Sequence, residues 1–208
     1  WDGLSDAVSG AQAVIHLAGA GIADKRWSAQ RKAELRSSRI ATGRRVAEAI
    51  AGAGEKPSVL VSASAVGYFG DRGDEVLTDD SAPGEGFLAE LCRDWEESVS
   101  DVAIRTAVIR IGLVLSADGG FLKPQLLPFK LGLGGPIGSG RQYLPWIHID
   151  DVVQFLLWAT EDNAVDGVFN ATAPEPVTSK TFARSLGRAL GRPAILPLPP
   201  AIFKLPLG

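Results

Sequence analysis

Residues 138–152, Gly-Ser-Gly-Arg-Gln-Tyr-Leu-Pro-Trp-Ile-His-Ile-Asp-Asp-Val, bring a glycine-rich turn, an apolar stretch, a histidine and two aspartates into one segment. Glycines permit tight backbone turns, and an aspartate can cap the helix that follows. The order predicts a loop running into a helix capped by Asp150. His148 reads either as a titratable group or as a structural contact beside the cap, and the residues alone leave both open. The glycine run from Gly132 to Gly140 reads either as a backbone wall for a substrate phosphate or simply as a loop. Cys92 is the single thiol, and with only two histidines, His16 and His148, the chain is expected to hold no metal and no intrachain disulfide.

These residues need a scaffold. Ala13-Val14-Ile15-His16-Leu17-Ala18 is a short apolar run ending at Gly19-Ala20-Gly21, as a buried parallel strand and its turn would be. Residues 27–53 have helical period with Ser28 as N-cap, and residues 57–62 form a second strand running into Ala63-Ser64-Ala65-Val66-Gly67-Tyr68. Residues 71–86 read as a loop and 87–99 as a helix with Leu88, Leu91, Cys92 and Trp95 on one face. On that apolar face Cys92 reads as an inert core thiol, with a nucleophilic role as the alternative. Strands over 102–111 and 167–171 and a helix over 179–190 complete the pattern. Strand and helix alternate, so the fold class is α/β: a parallel sheet covered by helices on both faces. The division expected is a core of residues 1–115 and 148–172 and a lobe of residues 116–147 and 173–208.

Bulk properties narrow the function classes. The chain has 208 residues, 46% hydrophobic and 22% charged, which is ordinary globular composition. A net charge of −3 gives no electrostatic case for nucleic acid or an anionic membrane. The basic residues between Lys25 and Arg45 include Arg44 and Arg45, which read as a solvated helix face. No apolar run reaches the ~20 residues that span a bilayer, and the tail from Ala194 to Gly208 is broken by Pro197, Pro199, Pro200 and Pro206. With one cysteine and no signal peptide at Trp1, a cytoplasmic location is expected. No methionine occurs, and the sequence starts within a helical pattern, so a fragment of a longer chain is expected, with the first βαβ unit missing.

The segment 138–152 is similar to the Gly-x-Gly … His-Val-Asp-Asp-Val signature of extended short-chain dehydrogenases/reductases. Together, Ile22-Ala23-Asp24-Lys25-Arg26-Trp27, Leu131 to Gln142 and Trp146 to Asp151 resemble an atypical branch of the NAD-dependent epimerase family, the YfcH-like and SDR39U-like proteins. The likeness covers essentially the whole chain and implies a Rossmann-like doubly wound parallel sheet with a small substrate-binding lobe. It implies a nicotinamide cofactor, NADP(H) rather than NAD(H), and a small polar, nucleotide-sugar-like substrate. Cofactor contacts are implied at Leu17, Ala18, Gly19, Glu34, Arg39, Ser62, Ala63, Gly112 and Val114. The resemblance also implies pairing through a helix bundle, so a homodimer is an expectation. The Gly-x-x-Gly-x-x-Gly phosphate loop of the family is expected upstream of Trp1.

The chemistry departs from the family pattern. Ser64 matches the catalytic Ser/Thr position. The helix that should carry Tyr-x-x-x-Lys has Leu88 at the tyrosine position and Cys92 at the lysine position. Tyr68 is the nearby phenol that could be recruited as the acid, with Arg93 or Lys25 as electrostatic help. Two readings follow. The first is an oxidoreductase or epimerase with Ser64 and Tyr68 as catalytic residues. The second is a cofactor-binding regulatory or partner-binding protein with little catalysis.

Overall fold

The computed structural model describes residues 3–197, so the proline-broken tail falls almost wholly outside the described residues. In chain order the elements are α1 (Leu4–Val8), β1 (Ala13–His16), α2 (Ala29–Arg36), a π turn (Ser37–Ala41) and α3 (Thr42–Gly52). Next come β2 (Val59–Ala65), a 3-10 turn (Val66–Phe69), α4 (Phe87–Glu97), β3 (Arg105–Ile111), β4 (Leu113–Leu115) and α5 (Lys123–Lys130). The chain ends with β5 (Tyr143–Leu144), β6 (Trp146–His148), α6 (Ile149–Glu161), β7 (Gly167–Ala171), β8 (Val177–Thr178) and α7 (Ser179–Leu190). They form two compact parts, one of residues 3–22, 27–111 and 153–171, the other of residues 23–26, 112–152 and 172–197.

The first part is built on a parallel sheet in the order β1-β2-β3-β7. β2 is buried from Val59 to Ser64, which is why its sequence is a continuous run of small and apolar residues without alternation. In-register residues share a face of the sheet. One face carries Leu60, Ser62 and Ser64 of β2 beside Thr106, Val108 and Arg110 of β3. There Leu60 and Val108 pack with Val46 and Ile50 of α3 and with Val99. Each such buried aliphatic side chain contributes ~1.5–3 kcal/mol. On the opposite face Phe155 of α6 lies 6.4 Å from the Phe169 ring of β7. Helices on both faces make this the Rossmann-like doubly wound arrangement that the family resemblance implies.

In the second part, β4 pairs with β6 in parallel and β5 with β8 antiparallel. The rings of Phe121 and Phe182 meet at 5.6 Å. The glycine run has a packing reason inside this part. A Cβ on Gly134 would collide with the Phe129 ring, and one on Gly135 with the Leu196 carbonyl. The loop is joined to the start of α7: Ile137 N–H donates to Ser179 Oγ at 2.9 Å and Lys180 N–H to the Gly140 carbonyl at 2.9 Å.

Two local expectations are corrected. The helix over 27–53 begins at Ala29, with Ser28 as its N-cap, and is interrupted by the π turn. The hydroxyls of Ser37, Ser38 and Thr42 all bond back to helix carbonyls, a competition that loosens regular α geometry. Asp150 sits inside the first turn of α6 rather than at its cap, and its N–H donates to His148 Nδ1 at 3.2 Å. His148 is thus a cap contact. Residues 123–130 form α5, with Pro124 in the first turn where no N–H is needed. Among the described residues no helix is long and apolar enough to cross a membrane.

One side chain ties the strands to α6. Arg105 donates to the carbonyls of Ala159, Thr160, Asp162 and Val165 at 2.8–3.0 Å, where the end of the helix leaves carbonyls without partners. Arg105→Met is expected to lower stability by about 2–3 kcal/mol, read as a shift of the urea midpoint at constant slope.

Candidate functional site

At the carboxyl end of β2, strand register sets Ser64 beside Arg110 of β3. Arg110 is 4% exposed, and a buried guanidinium is tolerated only when paired and fully hydrogen-bonded. Glu96, near the end of α4, meets that need. Arg110 Nε donates to Glu96 Oε1 and Nη2 to Oε2, both at 2.8 Å, a bidentate pair. Ser64 Oγ donates to the same Oε1 at 2.6 Å. Arg110 Nη1 reaches the Asp79 carbonyl at 3.1 Å, and Asp79 Oδ1 accepts the Asn170 N–H at 2.7 Å. Above this network the Arg110 guanidinium lies 3.5 Å from the centre of the Tyr68 ring. Burial works against the arginine's charge, but the bonds and charge of Glu96, together with Tyr68, outweigh it and hold the pKa above its ordinary value. Ser64, Glu96, Arg110 and Tyr68 thus form one cluster.

The sequence reading has Ser64 and Tyr68 in that cluster but not the groups that hold them. Arg93, named as electrostatic help, is 55% exposed with Nε 3.8 Å from Asp94. Lys25 belongs to the second part of the chain. The cation stacked on Tyr68 is Arg110. Its signal was present in the sequence: a charged residue inside the apolar strand Ala107-Val108-Ile109-Arg110-Ile111, with an acid four residues beyond Cys92 on the helix that covers it.

Leu88 and Cys92 of α4 lie against the turn after β2. A Cβ on Gly67 would lie 3.5 Å from Leu88 Cβ and 3.7 Å from Cys92 Sγ. The chemistry there is apolar. Burial, and secondarily the charge of Glu96, push the Cys92 thiol from 9.0 up to about 11, so it stays neutral at physiological pH.

The residues expected to meet a cofactor have varied surroundings. Leu17 is 53% exposed just beyond β1, an apolar side chain left open at the end of the sheet. After it the segment Gly19 to Ile22 is held by side chains: Ser38, Arg39, Arg31 and Trp27 all bond its backbone. Glu34 pairs with Arg31 at 2.7 Å. Ser62 and Ala63 are buried, and Ser62 Oγ is 3.5 Å from His16 Nδ1. Burial lowers the His16 pKa, and its buried Nε2 has no hydrogen-bond partner. Gly112 and Val114 belong to the second part, where the Val114 carbonyl accepts the Phe121 N–H at 2.9 Å. A cleft of about 600 Å³ beside Gly10, Gln12, Glu55 and Glu161 lies at the amino ends of β1 and β2, away from this chemistry.

Two outcomes are expected from this geometry. Glu96→Gln or Arg110→Met, each leaving a buried charged partner uncompensated, should cost about 3–5 kcal/mol, while the double change to Gln and Met should cost less than their sum in a double-mutant cycle. For Cys92 the unfolded chain releases its proton near pH 9.0 and the folded chain only near 11. Above pH 9 the folded state therefore binds more protons, and stability falls as pH rises. Denaturation at stepped pH should show wild type losing about 2–3 kcal/mol relative to Cys92→Ala across that window.

The pattern of the NAD dependent epimerase/dehydratase family matches residues 2–171. The chloroplastic SDR39U1 homolog of Arabidopsis thaliana, an epimerase family protein, is 42% identical over 205 residues, covering 97% of this chain and 59% of the relative. This chain therefore spans less than two thirds of that relative's length. The crystal structure of human epimerase family protein SDR39U1 (isoform 2) with NADPH superposes with a TM-score of 0.92 at 39% identity, covering 97% of this chain and 70% of that one. A nucleoside-diphosphate sugar epimerase from Corynebacterium glutamicum superposes at 0.77 with 36% identity, covering 100% of this chain and 46% of that one. With the parallel sheet and a family match over most of its length, the chain belongs to the NAD-dependent epimerase/dehydratase family.

Proposed function

We propose that the protein is an NADP(H)-dependent oxidoreductase or epimerase acting on a small polar, nucleotide-sugar-like substrate, with Ser64 and Tyr68 at its reacting centre. The observation that carries this reading is the cluster at the carboxyl end of β2, where a phenol, a hydroxyl, a carboxylate and a fixed cation are joined. Ligands of doubly wound sheets bind beyond the carboxyl ends of the strands. The open Leu17 side chain and the bare Gly19 backbone at the end of β1 fit a flat apolar ring and a close-lying ribose. The human relative with NADPH supports NADP(H) over NAD(H).

In this reading the nicotinamide, when bound, supplies or accepts the hydride. Tyr68 Oη gives a proton to the substrate oxygen in the reducing direction and takes one in the oxidising direction. Arg110 holds the ring in place and supplies a permanent positive charge beside it. Ser64 is buried and donates its O–H hydrogen bond to Glu96, so towards a substrate hydroxyl its oxygen acts as acceptor.

A second reading has its own observation. Leu88 and Cys92 occupy the positions of the Tyr-x-x-x-Lys pair, and Cys92 is neutral at physiological pH. A protein that binds the cofactor as a sensor would tolerate that loss.

Nicotinamide fluorescence on the full-length protein, titrated separately with NADPH and NADH, tests the common premise. NADPH is expected to bind more tightly, and Tyr68→Phe to leave its affinity within about two-fold while lowering hydride exchange with a panel of nucleotide sugars by about 10²–10⁴. Binding without turnover across the panel favours the sensor reading. Absence of binding by either nucleotide overturns both.

A further inference from the structure

The segment after β1 is pinned by neighbouring side chains. Ala20 N–H donates to Ser38 Oγ at 3.0 Å, and Arg39 Nη2 donates to the Ala20 carbonyl at 3.0 Å. Arg31 Nη2 donates to the Gly21 carbonyl at 2.5 Å and Trp27 Nε1 to the Ile22 carbonyl at 2.8 Å. Both polar groups of Ala20 and the next two carbonyls are thus taken by side chains from residues 27–39. Arg39 Nη1 is also engaged, with the Leu35 carbonyl at 3.3 Å, and its guanidinium carbon lies 5.1 Å from the Trp95 ring.

Two neighbouring helix residues, Ser38 and Arg39, reach one loop residue. In a regular α-helix adjacent side chains diverge by about 100°. The π turn over Ser37–Ala41 adds a residue to the turn and narrows that angle. Gly19 completes the fit: a Cβ there would lie 3.0 Å from Arg39 Cζ and 3.3 Å from its Cγ and Nε. The arginine is packed against the loop backbone on one side and the Trp95 ring on the other.

We propose that Ser38 and Arg39 are positioning residues, which set cofactor affinity by fixing the backbone of Gly19 to Ile22 and not by touching a cofactor phosphate. This rests on the reading that the carboxyl end of β1 receives NADP(H). It assigns the π turn a task and gives Arg39 a role different from that of a phosphate ligand. A clamp acts on the loop whichever nucleotide is bound, so NADPH and NADH lose affinity together. A phosphate ligand on the ribose would discriminate between them and would make binding more sensitive to salt.

The test uses the full-length protein with Ser38→Ala, Arg39→Lys and Gly19→Ala, each first checked for native circular dichroism. Amide hydrogen exchange over residues 19–22 is measured without nucleotide, and dissociation constants for NADPH and NADH are measured at two salt concentrations. Each variant is expected to exchange faster in that segment. Each should weaken both nucleotides by the same factor, about five- to ten-fold, with an unchanged salt dependence. Arg39→Lys keeps the charge and so separates position from charge. Unchanged exchange and unchanged affinity in Ser38→Ala overturn the proposal. So does an Arg39→Lys variant that weakens NADPH alone with altered salt dependence. If wild type binds neither nucleotide, the cofactor reading itself falls; if wild type binds and the variants do not differ from it, only the clamp falls.

Discussion

The pairing of Glu96 with Arg110 is the interaction on which the site's arrangement depends. A guanidinium inside a parallel sheet has no water to solvate it, so the carboxylate that neutralises it must come from the covering helix. That requirement sets the depth of α4 against β2 and β3. Once the carboxylate is there, its remaining lone pairs organise the surroundings. One accepts the Ser64 hydrogen bond, which fixes the direction of the hydroxyl. The guanidinium, held flat by two bonds to Glu96, presents its face to the Tyr68 ring. A hydrophobic pair of equal volume could hold α4 on the sheet as firmly, since buried ion pairs seldom exceed such substitutes in stability. What it could not supply is a defined hydroxyl direction and a charge beside the phenol.

A similar logic operates at the end of β1. The residues from Gly19 to Ile22 gain their order from the sides of Trp27, Arg31, Ser38 and Arg39. A loop held in this way keeps its backbone shape without forming a strand or helix of its own. It also makes the helix irregularity intelligible, because Ser38 both bonds back to the Leu35 carbonyl and accepts from Ala20. The same hydroxyl therefore weakens regular helix geometry and secures the neighbouring loop.

Periodicity carried the fold. Runs such as Val59-Leu60-Val61 and the helical spacing of Leu88, Leu91, Cys92 and Trp95 depend on burial alone, and burial is written in residue type. The 3-10 turn with Tyr68, the short pairings of β4 with β6 and β5 with β8, and the helix containing Pro124 and Pro128 were not readable in the same way. They are set by contacts distant in sequence, such as Leu113 N–H to the Pro145 carbonyl, and those outweigh local propensity. The site was half legible. Ser64 was visible through likeness to a family and Tyr68 as the phenol four residues beyond it, whereas Glu96 and Arg110 become a pair only after register brings β3 beside β2. The clamp on Ala20 depends likewise on the helix folding back over the strand end.

The cluster of Tyr68, Arg110 and Glu96 is assembled differently from a Tyr-x-x-x-Lys pair. In the family pattern the lysine lies one helical turn from the tyrosine, so both come from one helix and move together. Here the phenol comes from the turn after β2, the cation from β3 and the anchor from α4. Three elements must be in register before the charge and the phenol meet. That makes this cluster dependent on the packed sheet rather than on one helix. It also explains why Cys92 can be a neutral core thiol, filling space against Gly67 while the charge sits one turn further along, on Glu96. The apolar positions on α4 seal the helix to the sheet, and the polar work is moved to its end.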